Sequence, residues 1–115
     1  MTRAERAQQL WSLLGLAATS RQILTYDMVA RLTGAMRAGI GDFLRPIQQY
    51  CTENALPPLT CLVVSERTGL PSEGFIAAAD VPMAQMQVFE HPWLDVTAPT
   101  AEQLEQAYTR APDRR

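Results

Sequence analysis

The chain has no lysine, one histidine and two cysteines, and none of its apolar runs is long. His91 alone leaves a histidine-based triad or a histidine-rich metal site without parts. Cys51 and Cys61 lack the close spacing of metal ligands, so both read as small core residues, and a disulfide is not expected in a reducing compartment. No apolar stretch approaches the roughly 20 residues needed to cross a bilayer. The opening MTRAERAQQLW is amphipathic and does not resemble a secretory leader, so no membrane association is expected and the cytoplasm is the expected compartment. No Gly-x-Ser-x-Gly elbow occurs, and Glu102 and Glu105 share one solvated helix face. The expectation is therefore a non-enzymatic protein with no cofactor and no metal.

With 115 residues, 47% hydrophobic and 19% charged, the chain suits a single globular core. Its net charge of −2 hides an asymmetry. Up to Pro58, Arg3, Arg6, Arg21, Arg31, Arg37 and Arg45 outweigh Glu5, Asp27, Asp42 and Glu53; beyond it the acids dominate, with Glu73, Asp80, Glu90, Asp95, Glu102 and Glu105 between Arg67 and Arg110. DNA-binding domains carry a clear basic excess, whereas this chain has at most a basic face. That every base is arginine suits planar bidentate contacts, and equally the codon bias of a GC-rich genome.

Periodicity predicts a first helix over residues 4–18, with Ala7, Leu10, Leu14 and Ala17 inward, Trp11 and Leu13 widening the stripe and Gly15 weakening it. A second helix is capped by Thr25, carries Asp27 in its first turn and ends at Gly34, with Met28, Val29 and Leu32 buried. A third carries Ile40, Phe43, Leu44, Ile47, Tyr50 and Cys51 and ends at Asn54; Pro46 either kinks it or starts a new helix. LTCLVVS (59–65) predicts a strand, Arg67-Thr68-Gly69 a turn, and Gly74-Phe75-Ile76 a short return strand. Asp80 caps a fourth helix with Pro82 in its first turn and Met83, Met86, Val88 and Phe89 available for burial; after Pro92, Trp93-Leu94 folds back onto the core. Thr100 and Gln103 form the capping box of a last helix in which Leu104 and Tyr108 pair. This order predicts a mainly α fold with a small β-hairpin: a winged helix-turn-helix core over residues 1–78, and two extra C-terminal helices over 79–115 packed on the same domain.

Three motifs carry a family resemblance: TYDMVARLTG, RAGIG (37–41) and LTCLVVSERTGLPSEGF. Residues Thr25 to Phe75, about half the chain, resemble the DNA-binding domain of the alkylguanine-DNA alkyltransferases and the alkyltransferase-like proteins. The resemblance implies a winged helix that holds duplex DNA. It does not carry the alkyl-transfer chemistry across. With Val63-Val64 aligned to the family's Val-Val, the nucleophilic cysteine falls at Thr60, its activating histidine at Cys61 and the following arginine at Leu62. Gapless alignment on Gly41 places Ala38 at the base-displacing arginine, and Arg37 fits only with a local slip.

The expected contacts to duplex DNA are Arg37 at the start of the third helix, Arg45, Gln48 and Gln49 on its outer face, and Arg67 in the wing. Ala38, Gly39 and Gly41 are small enough for close approach to phosphates, and Tyr26 offers a hydroxyl. The alternative is a protein-interaction module, of immunity or adaptor type, that docks a basic protein partner on its acidic C-terminal half. A continuous positive band joining Arg37, Arg45 and Arg67 favours DNA; a band interrupted by Asp42 and Glu66 favours the protein partner.

Overall fold

Local hydrogen bonds at the helix ends set most of the element boundaries. The computed structural model describes residues 1–71 and 80–111. Thr2 and Glu5 form a reciprocal capping box that starts α1 (Arg3–Thr19). The Thr25 hydroxyl accepts the Met28 N–H at 3.1 Å to start α2 (Tyr26–Thr33), and Gly34 closes it at φ 76°. A 3-10 turn (Arg37–Gly39) leads into α3 (Ile40–Glu53). Asp80 caps α4 (Val81–Glu90) through the Met83 N–H at 3.0 Å, and the Thr100–Gln103 box starts α5 (Ala101–Arg110).

The fold is mainly helical, with five α-helices and a two-stranded parallel sheet among the described residues. β1 (Leu24–Thr25) pairs with β2 (Val63–Val64), Leu24 opposite Val63 and Thr25 opposite Val64. This corrects the extent of the strand expected over 59–65 and gives it a parallel partner. Leu59–Leu62 forms a 3-10 turn, and only Val63–Val64 is strand, paired in parallel with the segment before α2. All four residues of the turn are buried, so the run has no exposed face to alternate with, and its hydrophobicity alone does not separate strand from turn. The return strand expected at 74–76 lies outside the described residues.

Pro46 does not start a new helix; it lies within one continuous α3 with its ring fully buried. α3 packs against both α1 and α5, and α1 against α5. Leu10, Leu14, Ile40, Ile47, Leu59, Leu62, Val88 and Leu104 form one buried cluster together with Trp11 and Trp93. Trp11 meets Tyr50 and Trp93 edge-on, at 5.5 and 5.7 Å. Four residues expected inside lie outside: Met28 is 40% exposed, Leu32 61%, Met83 55% and Met86 56%. Each of these two short helices buries a single i, i+4 row, Val29–Thr33 on α2 and Ala84–Val88 on α4, leaving the neighbouring positions to solvent. Leu94 is also exposed, while Trp93 beside it is buried as expected.

Two glycines respond oppositely to alanine. At Gly15 an added Cβ would meet the Trp93 Cβ at 3.7 Å, an ordinary contact, so Gly15→Ala should raise stability by about 0.5–1 kcal/mol through helix propensity. At Gly34 the left-handed φ of 76° penalises any side chain, and Gly34→Ala should lower stability by about 1 kcal/mol. Urea unfolding of the two variants checks both signs.

Candidate interaction surfaces

The pairing of β1 with β2 brings the start of α2 beside the segment that follows Val64. Glu66 in that segment accepts the Asp27 N–H at 2.7 Å and the Arg37 Nη2 at 2.6 Å. Arg37 also lies 2.9 Å from the Asp27 carboxylate and 5.6 Å from the centre of the Tyr26 ring. Its guanidinium is half exposed yet held between two carboxylates. The Arg37 hydrogen bond, helped by backbone donors, pulls the Glu66 carboxyl down to about 2. Residues 65–70 fold into a tight turn, with Ser65 N–H to Leu70 O at 2.9 Å and Gly69 at φ 70°. Arg67 is exposed on this turn and makes no ion pair among the described residues.

The remaining three expected DNA contacts are engaged elsewhere. Arg45 is 18% exposed; its Nη1 lies 3.4 Å from Asp42 and 3.3 Å from the Tyr108 hydroxyl, and its guanidinium stands 4.9 Å from the centre of the Tyr108 ring. The Tyr108 hydroxyl donates to Asp42 at 2.9 Å. Gln48 accepts the Thr60 hydroxyl at 2.6 Å. Gln49 donates to Glu53 at 2.9 Å, and Glu53 in turn takes Arg110 of α5 with both oxygens, at 2.7 and 2.9 Å. Arg110 and Gln49 together hold the Glu53 carboxyl down to about 2. The structure therefore brings Arg37 and Arg67 toward the start of α2, and turns Arg45 toward α5 and Gln48 toward the 3-10 turn. Asp42 lies against Arg45 and Glu66 against Arg37, so two of the three arginines expected in the band have a carboxylate beside them. Tyr108, which clasps Asp42 and Arg45, could not be found as their partner from the sequence because 66 and 63 residues separate them.

Neither cysteine has the setting of a nucleophile. Burial pushes Cys51 up to about 11 and Cys61 up to about 12, opposite to the shift that activates a thiol. Among the described residues no group of three or more histidine, cysteine, aspartate or glutamate side chains could hold a metal ion, and no helix is long and apolar enough to cross a membrane.

Two apolar rows face solvent. On α2, Met28, Arg31 and Leu32 share one exposed face; on α4, Met83, Met86, Gln87 and Glu90 share another. Arg31 and Glu90 make no ion pair among the described residues, and the exposed Leu94 and Asp95 follow closely on α4. No family model, no curated protein and no solved structure matches this chain.

Proposed function

We propose that this protein is a non-enzymatic protein-interaction module whose α4 face takes a partner segment that is apolar and positively charged. The carrying observation is the solvent-facing pair Met83 and Met86, each more than half exposed, with Glu90 on the same face. Methionine is flexible and polarisable and adapts to varied apolar partners, while the acids nearby select for positive charge. This is the acidic C-terminal half at work as a docking surface.

A second reading, duplex DNA held by a winged-helix face, draws support from a different observation. The β1–β2 pairing and the Glu66 hydrogen bonds bring Tyr26 and Arg37 beside the segment that carries Arg67. Two features weigh against it: the carboxylates on Arg37, and the packing of α5 along α3.

One titration separates the two. Fluorescence anisotropy is followed with three labelled probes: an amphipathic leucine–arginine helical peptide, its leucine–glutamate counterpart, and a short DNA duplex. The arginine peptide should bind, the glutamate peptide should not, and the double substitution Met83→Ser, Met86→Ser should weaken binding about tenfold or more. Binding that ignores both methionines, or a duplex that binds more tightly than the peptide and is lost with Arg37→Ala and Arg67→Ala, would overturn the protein reading.

A further inference from the structure

We propose that the segment fitting the α4 face is α2 of a second copy of this chain. The inference rests on the protein-interaction reading and names the partner of that same surface. The two exposed rows complement each other in both respects that decide docking. α2 offers Met28 and Leu32 with Arg31 between them, and α4 offers Met83 and Met86 with Glu90 on the same face. Arg31 and Glu90 each stand beside an exposed apolar row without an ion-pair partner among the described residues, and they have opposite signs. An α2 laid along α4 would cover four exposed apolar side chains and pair the two charges.

The geometry of the helices permits it. α2 has 8 residues and α4 has 10, so they run for about 12 and 15 Å and match in length. Neither exposed row is needed for the protein's own packing, because α2 is anchored by Val29 and Thr33 and α4 by Ala84 and Val88. The contact joins two different faces, so its charge pair is heterotypic: Arg31 of one copy meets a glutamate at position 90 of the other. Two short helices bury less than the roughly 1,200 Å² of a standard stable interface, so the association is weak, with a dissociation constant on the order of 10 to 1,000 µM.

Sedimentation velocity over about micromolar to about millimolar protein tests this directly. The expected result is a mass that rises with concentration and falls back with added salt. Arg31→Glu should weaken the association about tenfold or more by opposing two acids, and Glu90→Arg should do the same by opposing two bases. The double variant, Arg31→Glu with Glu90→Arg, should restore it. Both positions are exposed, and far-UV circular dichroism verifies that the variants fold. A monomer at every concentration, or association that survives both single reversals, or no recovery in the double variant, would overturn the proposal. Its failure is distinguishable from failure of the parent reading: the peptide titration is run at protein concentrations too low for self-association. Peptide binding without self-association leaves the α4 docking surface in place and removes only the second copy as its occupant.

Discussion

Trp93→Ala should destabilise the protein by about 3–5 kcal/mol, a large fraction of the 5–15 kcal/mol typical of a domain. Trp93 is 3% exposed and packs edge-to-face with Trp11 at 5.7 Å and 83°. Its indole N–H donates to the Val88 carbonyl at 2.8 Å, and its Cβ lies against α1 at Gly15. Truncation would thus empty a space shared by α1, α4 and the 3-10 turn Trp93–Asp95, and would remove the shorter of two hydrogen bonds to the Val88 carbonyl, which keeps the His91 N–H at 3.3 Å. Trp93→Phe would separate the two contributions, because it keeps most of the ring contact and loses only the hydrogen bond. Urea unfolding followed by circular dichroism reads both variants. A loss below about 1 kcal/mol for the alanine variant would mean that α4 and the residues after it are not held to α1 through this side chain.

The second large effect is expected in alkali. The thiols of Cys51 and Cys61 are 2% and 0% exposed, and burial raises them from an ordinary 9.0 to about 11 and about 12. In the unfolded chain both ionise near 9; in the folded protein both keep their protons. Between pH 9 and about 11 the unfolded state therefore binds fewer protons than the folded one, and stability falls as pH rises. Below pH 9 the contribution is fully present. Each thiol removes about 1.4 kcal/mol per pH unit in this window, so two units cost on the order of 5 kcal/mol for the pair. The chain has no lysine, so no lysine titration overlaps this window. The measurement is the alkaline unfolding midpoint of the parent against the Cys51→Ala, Cys61→Ala variant, which should unfold at higher pH relative to its own neutral stability. An unchanged dependence on pH would show that the thiols do not titrate differently in the two states.

Helix ends were legible in the sequence because the groups that make them are neighbours along the chain. Thr25 with Met28, Asp80 with Met83 and Thr100 with Gln103 all bond across three residues, and Gly34 supplies a backbone angle that other residues resist. The inward positions of α1 and α3 were legible for a related reason: both helices are long enough for their apolar rows to show a period. The Thr2–Glu5 box that starts α1 is equally local.

The strand over 59–65 is shorter than its hydrophobicity predicts because a run buried on every side carries no alternation, so Leu59–Leu62 reads the same whether it forms a strand or a 3-10 turn. Met28, Leu32, Met83 and Met86 were placed inside because hydrophobicity says what could be buried, whereas the neighbouring elements decide what is.

The candidate contacts divide along the same line. Sequence alone determined which arginines and glutamines lie on or beside α3 and that acids crowd the C-terminal half. Only the tertiary structure decided that α5 lies on α3, so that Tyr108 meets Asp42 and Arg45, and that β1 pairs with β2, so that Glu66 reaches Arg37. Those partners are 29 to 66 residues apart, and no local hydrogen bond or helical period encodes which of the available opposite charges will be brought within reach.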